Sequence, residues 1–137
     1  MAGPRVLIDP AAGTLDDVLG FELLEASDDG ATARFEVRDR VCQPIGIVHG
    51  GAYAALAESM VSITTNALVG EDGKGAVGQS NHTSFLRPVS EGFVNARAHP
   101  RHRGRSTWVW DVDFVDDHGR LCAISRVTLA VRPAQVG

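Results

Sequence analysis

The sequence predicts an α+β domain, one long buried helix against an antiparallel sheet, and three observations carry that expectation. Residues 52–67 are alanine-rich with Glu58 as the only charged side chain, and a helix apolar almost all round is normally buried. Residues 107–115 alternate, with Trp108, Trp110, Val112 and Phe114 on one side and Thr107, Val109, Asp111 and Asp113 on the other, the period of a half-buried strand. The order is a strand or two, the helix, then four strands. The apolar sheet face needs a cover, and only that helix is long enough to supply it.

The remaining elements follow in chain order. Thr14-Leu15-Asp16-Asp17 reads as a capping box that opens a short helix to about Leu19. Asp28-Asp29-Gly30 marks a turn before a strand over 31–40, in which Ala31, Ala33, Phe35 and Val37 share a face. After the helix, residues 70–75 form a turn. Strands are expected over 77–86, 92–101, 107–115 and 121–132, the last two joined by the hairpin signal Asp116-Asp117-His118-Gly119. No repeat, low-complexity tract or linker interrupts the chain, so 1–137 reads as a single domain with its core over about 15–132.

Composition narrows the classes of function. With 137 residues, 44% hydrophobic, the chain has the size of one domain. No apolar run approaches the roughly 18 residues of a membrane span. The apolar stretch in residues 1–10 is too short for an export signal, which makes the cytoplasm the expected compartment. Cys42 and Cys122 form no C-x-x-C pair, so both are expected as reduced thiols. His99, His102 and His118 lack metal-ligand spacing, and no metal is expected. Asn81-His82-Thr83 matches a glycosylation sequon but reads as ordinary strand. A net charge of −4 argues against a nucleic-acid partner held by the overall field. Lys74 is the only lysine, and Arg101-His102-Arg103-Gly104-Arg105 is the densest positive cluster. Guanidinium groups there suit phosphate oxygens, or the cluster is simply a solvated strand connection.

Chemistry concentrates where the long helix begins. Gln43-Pro44-Ile45-Gly46-Ile47-Val48-His49-Gly50-Gly51 leads into it, and free N–H groups at a helix N-terminus favour a developing negative charge. Neither a P-loop nor a G-x-G-x-x-G spacing is present. Glu58, on an otherwise apolar helix, must be compensated by an arginine, backbone amides or solvent, or else serves as a base or nucleophile. Ser62 lies one helical turn on, on the same face. Nine residues separate His49 from Glu58, about 13 Å along the axis and about half a turn around it. One helix therefore cannot bring both its tip and Glu58 to one carbonyl. If both act, they come from two subunits related by a two-fold axis.

Gln43, His49-Gly50-Gly51, Glu58 and Ser62, followed by Arg87-Pro88-Val89-Ser90-Glu91-Gly92, resemble the hotdog-fold thioesterases over residues 15–132. The likeness is to the 4-hydroxybenzoyl-CoA thioesterase branch with glutamate on the central helix, together with the phenylacetate-pathway and enterobactin-proofreading enzymes. The resemblance implies a long central helix wrapped by an antiparallel sheet, a homodimer as the catalytic unit and often a dimer of dimers. It also implies hydrolysis of an aromatic or medium-chain acyl-CoA, with no cofactor beyond the CoA of the substrate and no membrane partner. Carried over, Glu58 is nucleophile or general base, the Gly50 N–H polarises the thioester carbonyl, Gln43 holds substrate or water, and Ser62 positions the attacking group. His49 matches a position that contacts the thioester, and equally fixes the turn. Arg87, Ser106 and Thr107, then Arg103 and Arg105, are the CoA-phosphate candidates. The strand before Arg87 reads Thr83-Ser84-Phe85-Leu86 where some members carry a histidine, which points away from proofreading on a carrier protein. Phe21, Trp108 and Trp110 are acyl-pocket walls or core. The alternatives are a noncatalytic acyl-CoA-binding module, or a hotdog hydratase or dehydratase, whose signature is not seen.

Overall fold

The computed structural model describes residues 9–134; residues 1–8, which carry most of the export-signal expectation, lie outside them. In chain order the elements are α1 (Leu15–Leu19), β1 (Glu22–Ser27), β2 (Gly30–Glu36), a 3-10 turn (Asp39–Val41), α2 (Gly50–Gly70), β3 (Lys74–Phe85), β4 (Phe93–Arg103), β5 (Thr107–Val115) and β6 (Leu121–Pro133). The six strands form one antiparallel sheet in the order β1-β2-β4-β5-β6-β3. The helix α2 packs on one face of it and touches every strand. This is the hotdog arrangement.

The packing follows from side-chain size and period. On α2 the buried positions Ala52, Tyr53, Leu56, Ala57, Met60, Val61, Thr64, Thr65 and Val69 recur every three or four residues, one stripe facing the sheet. It meets the inward-facing alternation Trp108, Trp110, Val112 and Phe114 of β5. Thr64 and Thr65 are buried without loss because their hydroxyls donate to the carbonyls of Met60 and Val61 at 2.7 and 2.6 Å, and Thr65 Oγ1 also accepts the Trp110 indole N–H at 2.9 Å. Buried polar groups need such partners. The opposite stripe of α2, including Ala54, Ala55, Glu58, Ser62 and Asn66, is half-buried or exposed, so the helix is not enclosed all round as its composition suggests.

Two expectations shift, and β1 is a strand for which the sequence pattern set no bounds. The strand expected over 31–40 ends at Glu36, because its neighbour β4 begins at Phe93, opposite Glu36. Gly92, at φ +80°, turns the chain away there, and residues 38–41 coil toward the start of α2. The strand β1 has no clean alternation in sequence because Leu24 is an extra residue in its pairing with β2. Finally, α1 forms after Thr14 but without the expected capping box. The Thr14 hydroxyl donates to the Ala11 carbonyl, and the Asp17 carboxylate accepts from the Gly13 N–H at 2.9 Å.

Candidate active site

The segment before α2 is a tight hairpin. Gly46 N–H donates to the Gln43 carbonyl and Gln43 N–H to the Ile47 carbonyl, both at 2.9 Å. Pro44 suits the first corner of this turn, and Gly46 holds φ +87°, a conformation side chains disfavour. The hairpin delivers His49 as the N-cap of α2, where Nδ1 accepts the Gly51 N–H at 2.8 Å. A backbone amide can only donate, so Nδ1 is unprotonated and the ring fixes the turn. Among the described residues, the Gly50 N–H has no acceptor. It is the free donor at the positive end of a 21-residue helix. The Phe85 ring closes over this residue: a Cβ on Gly50 would lie 2.7 Å from the ring tip. Phe85 stays 58% exposed and its ring is tilted at 45° to that of Tyr53, at 6.1 Å between centroids. The Tyr53 hydroxyl is itself buried without a partner among the described residues, and burial pushes the phenol well above its ordinary range.

Two turns further along, Glu58 is half-buried and Ser62 Oγ donates to its Oε2 at 3.0 Å. The expected pairing one turn apart is therefore made. No arginine reaches the carboxylate among the described residues. It lies directly on Gly78 of β3, where any Cβ would overlap it, beside the bulge that leaves Gln79 unpaired with β6. Two asparagines hold β3 to α2 on either side. The Asn66 amide pairs with both the N–H and C=O of Ala76 at 2.8 and 3.0 Å, and Asn81 Nδ2 donates to the Ala54 carbonyl at 2.9 Å. Gly78 and Asn66 were not singled out from sequence, and Asn81 was noted only as part of a sequon. A glycine inside a strand, the mark of a bulge or a close approach, is the signal that was available.

The phosphate candidates divide between two ends of the sheet. Arg87 is exposed at the Gly50 end, its N–H on the Cys122 carbonyl. Arg103, Arg105, Ser106 and Thr107 lie at the β4–β5 turn, the other end of β5, about 27 Å away at the usual rise per strand residue. There Arg103 donates to the Asp28 carbonyl at 3.0 Å, and the Ser106 carbonyl accepts from Val131 N–H and Arg132. One chain therefore does not bring these four residues to the tip of α2. Phe21, Trp108 and Trp110 are core, at 5, 9 and 0% exposure, and Phe21 also borders a small apolar cleft with Leu23, Leu56, Met60 and Ile63. A concavity of about 430 Å³ lies on the far face of the sheet, lined by His82, Ser84, Asp111 and Arg126 among others. It carries the Asp111–Arg126 ion pair, which holds the Asp111 carboxyl below its usual range, and none of the catalytic candidates.

Comparison with known proteins agrees with this fold. A family model for the thioesterase superfamily matches residues 45–123. The proofreading thioesterase EntH of Cronobacter turicensis is 40% identical over 121 residues, 88% of either chain. The crystal structure of thioesterase HI1161 from Haemophilus influenzae gives a TM-score of 0.84 at 37% identity, covering 89% of this chain and 85% of that one. SAV0944 of Staphylococcus aureus, solved as a glutamine-to-alanine variant and described as a thioesterase, gives 0.82 at 29% identity over 87% of this chain and 98% of its own. It was also solved with a glutamate replaced by alanine, giving 0.83 at 30% identity over 88 and 100%. The hotdog fold and these likenesses together define a thioester hydrolase. The chain belongs to the thioesterase superfamily. No described helix is long and apolar enough to cross a membrane.

Proposed function

We propose that this protein hydrolyses acyl-CoA thioesters, on aromatic or medium-chain acyl groups, at two sites shared between the chains of a homodimer. The observation that carries the reading is the Glu58 carboxylate, seated on Gly78 and oriented by Ser62, on a helix whose own tip presents an unpaired Gly50 N–H. Gly50 of one chain polarises the thioester carbonyl, and Glu58 of the other attacks it or removes a proton from the attacking water. Ser62 positions the carboxylate. Gln43, at the hairpin leading into the helix, holds substrate or water, and His49 acts through the turn it caps.

The spacing of the two replaced positions in SAV0944, a glutamine and a glutamate fifteen residues apart, supports the pairing of Gln43 with Glu58, which have the same separation. Arg87 of one chain, and Ser106, Thr107, Arg103 and Arg105 of the other, receive the CoA phosphates. An antiparallel dimer brings the far end of one sheet to the helix tip of its partner, which fits the division of these residues between two ends. CoA esters are cytoplasmic metabolites, and that is the compartment this reading assigns. Replacing Glu58 with Gln tests it. Hydrolysis across a panel of aroyl-, phenylacetyl- and fatty acyl-CoAs should fall at least about a hundredfold while the fold and CoA-ester binding persist. A variant as fast as the parent would remove Glu58 from the mechanism.

A further inference from the structure

Beside Glu58, β3 carries a polar side chain whose hydrogen-bonding capacity is only partly used. Gly78, Asn81, Thr83 and Phe85 pair with Leu129, Val127, Ser125 and Ala123 of β6, all of them buried. These four residues therefore share the face of β3 that meets α2. They meet the helix in reverse order, Phe85 at Gly50, Asn81 at Ala54 and Gly78 at Glu58. Asn81 is thus the neighbour of the Glu58 seat on the side of the helix tip.

A chain of hydrogen bonds fixes how the Asn81 amide is turned. Its Nδ2 donates to the Ala54 carbonyl at 2.9 Å, and the Thr83 hydroxyl donates to its Oδ1 at 2.8 Å. A hydroxyl has one proton, so in the 2.8 Å contact between Thr83 and Ser125 the buried Ser125 is the donor. A flipped amide would set its oxygen against the Ala54 carbonyl. One N–H of Asn81 is left exposed and without an acceptor among the described residues. Asn66, the other tether of β3, keeps nothing in reserve. Its two N–H groups reach the Ser62 and Ala76 carbonyls, and its oxygen accepts from the Ala76 N–H.

The spare donor of Asn81 lies beside a spare acceptor. Within α2 the Ala54 carbonyl also receives the Glu58 N–H, and helical side chains lean toward the N-terminus, which carries the Glu58 carboxylate toward Asn81. Ser62 occupies Oε2 at 3.0 Å, while Oε1 has no hydrogen-bond partner among the described residues. We propose that Asn81 and Glu58 together hold the water that cleaves the thioester, so that Asn81 is a catalytic residue and Glu58 a general base. The inference rests on the proposed function and deepens it. A water between the two accepts from Asn81 and donates to Oε1, and its second lone pair is free to attack. That pair forms the C–O bond as one water proton passes to Glu58 and the carbonyl π pair moves onto oxygen. When the oxyanion collapses, the C–S bond breaks, sulfur leaves with its electron pair and takes the proton from Glu58. The products are the carboxylic acid, which keeps the other water proton, and the CoA thiol. Direct attack by Oε1 would give the Asn81 N–H no part in the step.

Variant kinetics test this. Asn81→Ala should lower kcat for acyl-CoA hydrolysis at least about thirtyfold with KM within about threefold of the parent. In aqueous methanol its ratio of methyl ester to free acid should rise at least about fivefold, because water is no longer favoured over the larger nucleophile. A purely structural loosening of β3 lowers both products alike, so Asn66→Ala should leave that ratio unchanged. Thr83→Val keeps the side-chain shape but frees the amide to turn, and should lower kcat about fivefold and raise the ratio in the same direction. It carries the test if Asn81→Ala does not fold. A single turnover in heavy-oxygen water should label the product acid and not Glu58. A kcat within about twofold of the parent in both variants, an unchanged product ratio, or label in Glu58 overturns the proposal. Glu58→Gln as fast as the parent instead removes the reading beneath it.

Discussion

The Glu58 carboxylate and the Cα of Gly78 are in direct contact, with Ser62 bonded to the carboxylate at 3.0 Å. The contact joins the middle of α2 to the edge strand, and it exists because position 78 has no side chain. Replacing Gly78 with alanine displaces the end of a flexible side chain, so the fold should survive, with the unfolding midpoint within a few degrees of the parent. Hydrolysis should fall about a hundredfold, the usual effect of misplacing a reacting group by about 1 Å. Adding the change to Glu58→Gln should cost nothing more, since the two act through one carboxylate. Independent, additive losses would show that Gly78 serves some other purpose.

His49 caps α2 through Nδ1. Loss of an N-cap acceptor typically costs about 1 kcal/mol, and asparagine is among the best replacements. His49→Ala should lower stability by about that amount, and His49→Asn should restore it. If the ring acts only through the turn, His49→Asn also restores kcat. Recovered stability with kcat still depressed would instead place the imidazole on the substrate.

The Cys122 thiol is pushed up to about 11, first by burial and then by Asp116 nearby. An exposed thiol titrates near 8.5. The neutral form is favoured by folding, so its contribution is complete below about pH 8.5 and is lost as pH rises toward the folded value. In a Cys42→Ser background, a disulfide-exchange reagent at pH 8 should leave the folded protein unmodified and label it once urea unfolds it. The urea midpoint should fall between pH 8.5 and 11 more steeply than in a Cys122→Ala variant.

Asp116 shows the opposite sign. Burial raises its carboxyl, but the backbone N–H of Arg120, the Arg120 side chain and the backbone N–H of His118 outweigh that and hold it below the usual range. Its contribution is present above about pH 4, where the unfolded group is ionised, and is lost as pH falls through the lower folded value. The difference in melting temperature between the parent and Asp116→Asn should be largest at neutral pH and shrink below about pH 4. A difference unchanged at pH 2.5 would show that geometry and not charge matters at this turn.

What was legible in the sequence was period and composition. The β5 strand was read to both ends and β6 to within a residue, because their alternation runs unbroken to the turn residues. The α2 helix was recognised from its apolar run but placed two residues late and three short, since Gly50, Gly51 and Gly70 look like loop when only composition is weighed. The Glu58–Ser62 contact followed from helical spacing alone. The seat under Glu58 did not, because Gly78 belongs to another element and its proximity depends on how β3 docks against α2. The division of the arginines between two ends of the sheet was hidden for the same reason: it follows from strand order, which no local pattern encodes.

That order also sets a schedule for synthesis. The strand β3 emerges well before β6, its one neighbouring strand among the described residues, with roughly three dozen residues between them. At about 5–20 residues per second, the ribosome leaves β3 without that neighbour for a few seconds. During that interval the amides of Asn66 and Asn81 are the local tethers able to park it against α2. Chains truncated before Leu121 would keep both sides of this uncharged segment open, and are expected to accumulate as insoluble material where full-length chains do not.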